Sequence, residues 1–273
     1  MRFRVVALHP TTVCNYNCWF CYKKKMQDKE IEPSEKWFKL PKYLSKITNQ
    51  VAVGGGEIFL FPDWIERFGK ECKKHSLIFN ITTNGKCDYE NMGDEVFENI
   101  KMISISWDRA KIKSVKDAER VFELAKFFHS KGVLVGVNLL VDEKLFEKKF
   151  RFLRLVGLLF KKGFDRVYTL YPKLFKGPDL TKVNIAAEYF LATKIYKHFY
   201  IDDLTLMILK FGFDNWKEPC HYGKDICSIN ENFEVSGCSF EKECVLKIEK
   251  PEDVLKLEKI KFEKRHVCPY LVR

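Results

Sequence analysis

The chain has 273 residues, 46% apolar and 31% charged, with a formal net charge of +11. This is the composition of a globular protein, not of a disordered or fibrous one, and no apolar run approaches a membrane span. Ten cysteines behind an N-terminus without a signal-peptide pattern point to metal ligation in a reducing cytoplasm rather than to disulfides.

Phe3 to Leu8 reads as the first strand and ends at a cysteine-rich loop. Pro33 opens a helix towards Ile47, and Gln50 to Val53 is a second strand, followed by Gly54-Gly55-Gly56-Glu57. Trp64, Ile65 and Phe68 at helical spacing predict a helix over 62–75. Leu77 to Thr82 is a third strand, stopped by Thr83-Asn84-Gly85, and a helix is expected over 89–99. Strands then alternate with helices: 102–107, 115–131, 133–141, 145–162, 166–171 and 186–200. Six βα units in succession argue for a parallel sheet with helices outside, curled by right-handed crossovers into a barrel or part of one. From about Phe211 glycine, asparagine, cysteine and short alternations replace the long helices. The chain is therefore expected to divide into 1–204 and 205–273.

Three cysteines carry the chemistry. Cys14, Cys18 and Cys21 form a C-x3-C-x2-C loop directly after the first strand. Three thiolates can hold three irons of a cubane cluster and leave the fourth open, and an open metal position marks a reactive centre. The alternative is structural zinc, but zinc sites usually come as paired Cys-x2-Cys knuckles, and no second knuckle follows. In parallel α/β folds the reactive groups sit at the C-terminal ends of strands. The cysteine loop, the glycine run with Glu57, and Asn84 all fall there.

The cysteine loop resembles that of the radical S-adenosylmethionine (radical SAM) enzymes, and the resemblance covers roughly residues 3–175. It implies an α/β fold, a partial (β/α)6 TIM-like barrel. It further implies a 4Fe–4S cluster on Cys14, Cys18 and Cys21 whose open iron chelates S-adenosylmethionine. Reductive cleavage then yields a 5′-deoxyadenosyl radical that takes hydrogen from a substrate. Gly55, Gly56 and Glu57 look like the family's Gly-Gly-Glu motif, which holds the amino group of S-adenosylmethionine; Ile58 stands where the family usually has proline. Asn84 resembles the asparagine of a Thr-Asn-Gly stretch near the cofactor, with an ordinary Asn-Gly turn as the alternative. Ser106 and Asp108 resemble a Ser-Leu-Asp stretch near the ribose. Asn138, a polar residue inside the fifth strand, is a further cofactor candidate, because a buried polar group needs a partner. Phe20 and Tyr22 are expected to pack against the adenine.

Cys220, Cys227, Cys238, Cys244 and Cys268 crowd the C-terminal stretch. The run from Cys220 through Gly223 to Cys238 resembles the start of SPASM and twitch extensions, which house an auxiliary 4Fe–4S cluster. The resemblance implies Cys220, Cys238 and Cys268 as ligands with Cys244 as the fourth; Cys227 falls where a strand residue is expected and is the substitute. Phe233 occupies the position of the usual hairpin glycine. Four thiolates would also suit zinc.

The implied partners are a peptide or protein, or else a small molecule, together with an electron donor such as ferredoxin or flavodoxin. The positive charge suits an acidic peptide. A zinc-thiolate nucleic-acid module is a reading of another class. It is opposed by the missing second knuckle and by the absence of a lysine run interleaved with aromatics. No single residue announces itself as a general acid or base.

Overall fold

A computed structural model describes residues 2–23, 29–173, 175–214, 216–241 and 243–272. Two compact units emerge. The first comprises Met1–Ile103, Lys131–Val133 and His221–Glu263, and the second Ser104–Ser130, Leu134–Cys220 and Lys264–Arg273. They cut the sequence at different places from the compositional boundary at residue 205. The fold class is α/β, and the succession of parallel strands and helices is that of a partial TIM-like barrel.

In the first unit β1 (Val5–Thr11) lies at the centre. It pairs parallel with β2 (Gln50–Gly55), which pairs parallel with β3 (Ile78–Thr83). On its other side β1 pairs parallel with β8 (Ile226–Ile229), in the register Val5 to Ile226 through Leu8 to Ile229. An antiparallel hairpin joins β8 to β9 (Glu234–Ser236), and β10 (Leu246–Lys247) adds antiparallel to β9. Val6 and Leu8, Val51 and Val53, and Phe79 and Ile81 alternate into the core, the period of two that a strand imposes. They are covered by helices α1 (Pro41–Ile47) and α2 (Pro62–Lys74), which bury Leu44, Ile47, Ile65 and Phe68. Both helices begin with proline, where its fixed φ fits and its missing N–H costs nothing. Pro41 also splits the helix expected over 33–47, leaving a 3-10 turn at Glu35–Lys39 before α1.

The second unit takes β4 (Met102–Trp107) from Ser104 onward, β5 (Leu134–Leu140), β6 (Arg166–Leu170) and β7 (Phe199–Ile201), in that spatial order. The β5–β6 and β6–β7 pairs are parallel. Helices α3 (Val115–Ser130), α4 (Arg151–Lys161), α5 (Val183–Ile195) and α6 (Asp203–Phe211) complete it. Glu188 of α5 accepts hydrogen bonds from the Phe150 and Leu153 amides (2.9 and 3.1 Å), filling donors that the start of α4 leaves open.

Three further expected elements differ. The helix over 89–99 is only a 3-10 turn at Asp94–Val96, because Gly93 is extended (φ −61°, ψ 153°). The helix over 145–162 begins at Arg151, because Phe150 takes a left-handed φ of 60°. The helix over 186–200 stops at Ile195, and its last aromatics form β7 instead. A 3-10 helix over Pro251–Glu258 precedes Cys268. Among the described residues no helix is long and apolar enough to cross a membrane.

Candidate active site

The cysteine loop leaves β1 through a neck that threonines close. Thr11 Oγ1 donates to the Ile31 carbonyl (2.7 Å) and accepts from the Val13 amide (3.0 Å). Thr12 Oγ1 donates to the Lys29 carbonyl (3.0 Å) and accepts from the Ile31 amide (2.8 Å). Entry and return of the loop are thereby tied together. Within it the Cys21 amide donates to the Cys18 carbonyl (3.0 Å), a tight turn between two thiols.

The glycine run packs on this neck. The Gly56 amide donates to Thr11 O and the Glu57 amide to Val13 O, both at 2.8 Å. A Cβ at Gly56 would lie 2.1 Å from the Val13 carbonyl oxygen, and Gly55 has φ +101°. The glycines are needed because the chain's own backbone passes here, a close approach that a side chain would block.

Glu57 is buried at 1% exposure. Its Oε1 accepts from Thr83 Oγ1 (2.9 Å) and the Phe59 amide (3.2 Å), and its Oε2 from the Asn84 amide (2.7 Å). The carboxylate thus locks the end of β2 to the end of β3 and caps the 3-10 turn Ile58–Leu60. Ile58 itself is fully buried, which accounts for an apolar residue where proline was expected. Asn84 reaches back to the cysteine loop: Nδ2 donates to Asn15 Oδ1 (2.8 Å) and lies 3.7 Å from Cys14 Sγ. Cys14, Glu57 and Asn84 are therefore brought together. Burial pushes the Cys14 thiol up, with the Glu57 charge adding to the rise, so a thiolate here calls for a positive partner.

Cys14, Cys18 and Cys21 are all half-buried free thiols. Among the described residues no group of three or more His, Cys, Asp or Glu converges as a site for a single ion. A cubane takes one thiolate per iron, so its ligands need not converge in that way. The donor set, three thiols on one closed loop beside a buried carboxylate, fits such a cluster.

The other expected residues have these surroundings. Phe20 is half-buried, edge-on to the exposed Trp19 ring at 5.2 Å. The ring of Tyr22 lies 4.5 Å from that of Phe240, and its hydroxyl is 3.4 Å from His9 Nδ1. In the second unit Asp108 accepts from the Ala110 and Lys111 amides (2.9 and 3.2 Å) and pairs with the Lys111 ammonium. It shapes its own turn just past β4, with Ser106 half-buried on the strand. Asn138 is half-buried rather than buried, registered opposite Tyr168 on β6, which stacks on Tyr200 at 5.0 Å.

Of the C-terminal cysteines, Cys238 is buried and Cys244 exposed in the first unit, while Cys220 and Cys268 are half-buried in the second. Cys227 lies on β8 with no exposure, and burial pushes its thiol up to about 12, the setting of a packing thiol.

Sequence reasoning missed a buried polar group in the first unit. His9 is buried and its pKa is held well below the usual 6.5 by burial, and then by the Lys23 charge. Its Nε2 lies 2.9 Å from Ser239 Oγ. Lys23 pairs with Glu231 at 2.6 Å. The available signal was a histidine at the end of an apolar strand; nothing in the sequence links Lys23 to Glu231.

A parallel α/β fold with a three-thiol loop at a strand end is an arrangement whose donor set could hold a metallocluster. Residues 8–141 match the family model described as "Radical SAM superfamily". The match covers just under half of the chain, and that segment is similar to a radical SAM domain. No curated protein sequence matches it. Among solved structures, Streptococcus suis SuiB bound to precursor peptide SuiA is 16% identical with a TM-score of 0.71, over 92% of this chain and 63% of that one. SuiB bound to S-adenosylmethionine aligns at TM-score 0.68 and 16% identity, over 93% of this chain and 68% of that one. Methylornithine synthase PylB aligns at TM-score 0.56 and 13% identity, over 96% of this chain and 83% of that one. The chain thus spans less than two thirds of the peptide-bound SuiB chain.

Proposed function

We propose that this chain is a radical SAM enzyme that modifies a peptide or protein. The observation that carries the reading is the fold likeness to a SuiB structure bound to its precursor peptide, over 92% of the chain. The formal charge of +11 suits an acidic peptide.

In this reading Cys14, Cys18 and Cys21 hold the cluster, and Glu57 with Gly55 and Gly56 receives the amino group of S-adenosylmethionine. Asn84 orients Cys14 from the side. Ser106, Asp108 and Asn138 serve the ribose, and Phe20 and Tyr22 pack against the adenine. When bound, the cluster and S-adenosylmethionine supply a 5′-deoxyadenosyl radical that takes a hydrogen atom from the substrate. The chain orients the reacting groups and excludes water. Cys220, Cys238, Cys244 and Cys268 are assigned an auxiliary 4Fe–4S cluster in a 205–273 extension, fed like the first by a ferredoxin- or flavodoxin-type donor in a reducing cytoplasm. The fold likeness to PylB favours a second reading, a small-molecule substrate.

Anaerobic reconstitution tests the proposal. About eight irons per chain, falling to about four in a Cys14→Ala/Cys18→Ala/Cys21→Ala variant, are expected for two cubanes. 5′-Deoxyadenosine should form only with the wild type, and acidic peptides should stimulate it and change mass. Zinc in place of iron, without deoxyadenosine, would overturn the cluster assignment. Stimulation by small hydroxy or amino compounds and not by peptides would select the second reading.

A further inference from the structure

The exit of the cysteine loop is pinned by a buried ion pair. Lys23 lies two residues beyond Cys21, and Glu231 lies in the turn between β8 and β9. Nζ is 2.6 Å from Oε2, with the two side chains 7% and 0% exposed. Among the described residues Glu231 Oε1 has no hydrogen-bond partner, so Lys23 alone answers this carboxylate there. Around the pair, Tyr22 rests on Phe240, His9 bonds Ser239, and Ser239 Oγ is 3.3 Å from Ser228 Oγ. Residues 228–240 thus grip 22–23 from one side, while the neck threonines grip 11–13 from the other.

Replacing a dry ion pair by apolar groups of similar volume often leaves global stability unchanged, because taking two charges out of water is costly. What a charged pair adds is direction. One ammonium must meet one carboxylate at one place, and a displaced loop leaves both charges unanswered.

We infer that Glu231 is a positioning residue for the radical chemistry. Through Lys23 it fixes the exit of the cysteine loop, and with it the place of Cys21 relative to Cys14 and to bound S-adenosylmethionine. The inference rests on the assignment of the cluster to Cys14, Cys18 and Cys21.

The test compares the reconstituted wild type with Glu231→Gln and with the double variant Lys23→Met/Glu231→Leu, which replaces the charges by apolar groups. Hydrogen exchange over residues 12–23, iron content, and KM and kcat for deoxyadenosine formation are measured. So is the change in the reduced-cluster EPR spectrum on adding S-adenosylmethionine. The double variant should fold with near-wild-type unfolding midpoint and iron, yet exchange about tenfold faster over 12–23. Its KM for S-adenosylmethionine should rise about tenfold with a smaller change in kcat, the mark of loosened binding. Its EPR response to the cofactor should broaden. Glu231→Gln should show the same shifts if it folds; if it does not, the double variant decides. Wild-type exchange and KM in the double variant would overturn the inference, as would its failure to fold, which would make the pair merely structural. Absence of iron from the wild type would instead overturn the cluster assignment.

Discussion

A methyl group at residue 56 would stand 2.1 Å from the Val13 carbonyl oxygen, and backbone cannot step aside as a flexible side chain can. Gly56→Ala should therefore destabilise the protein by about 2–3 kcal/mol and lower iron retention, both readable from denaturant unfolding and iron analysis. A wild-type midpoint would refute the close approach. His9 carries a pH signature. Its folded pKa lies well below the unfolded value because burial and Lys23 both oppose the charge. The unfolded chain binds the extra proton first, so this contribution is intact above pH about 6.5 and declines as pH falls below it, by at most about 1.4 kcal/mol per pH unit. Urea unfolding from pH 7.5 to 5.5 should show the decline, and His9→Asn should flatten it. At this scale the sequence was informative for Cys14, Glu57 and Asn84, since motif residues at strand ends converge by construction. It was silent on Lys23 and Glu231, whose meeting depends on a strand pairing across some two hundred residues.

At the scale of the element, the β8–β9 hairpin turns through Phe233 with φ +60°, a region L residues avoid. Its ring lies 4.6 Å from that of Trp37 at 31°. Left-handed backbone costs about 1–2 kcal/mol, and an aromatic contact plus burial of the ring outweighs it at about 2–3 kcal/mol. Phe233→Gly, which removes strain and contact together, should cost roughly 1 kcal/mol net by thermal unfolding. A gain in stability would show that the ring contributes little. The strand over 133–141 was legible because a short, β-branched apolar run bounded by Gly132 and Asp142 suits a buried strand. The helix over 186–200 was overextended because Tyr196, Phe199 and Tyr200 fit a helical face as well as a strand, and pairing with β6 decided for β7. Gly93 and Phe150 broke expected helices by backbone conformations that composition does not announce.

At the scale of the molecule, the alternation of strands and helices revealed the α/β class, because each βα unit carries its own periodicity. Within the proposed 205–273 extension, β8 pairs with β1 and shares a compact unit with the N-terminal strands. Cysteine-rich composition concealed this, since Ile226-Cys227-Ser228-Ile229 is too short to proclaim a central partner. A chain ending at Cys220 should consequently leave β1 open-edged and Lys23 buried without its carboxylate. Such a truncation is expected to aggregate or to exchange throughout β1 and the cysteine loop, whereas a well-folded, iron-retaining fragment would contradict the pairing.

The β1–β8 pairing also orders events on the ribosome. β1 and the three thiols emerge early, but the strand that closes β1 follows about 220 residues later, roughly ten to forty seconds at ordinary translation rates. During that interval the thiols hang on a sheet with an unfilled edge, exposed to oxidation and to mispairing. Under the proposed cluster assignment, iron delivered before synthesis reaches residue 229 would meet a loop whose strand still lacks its β8 partner.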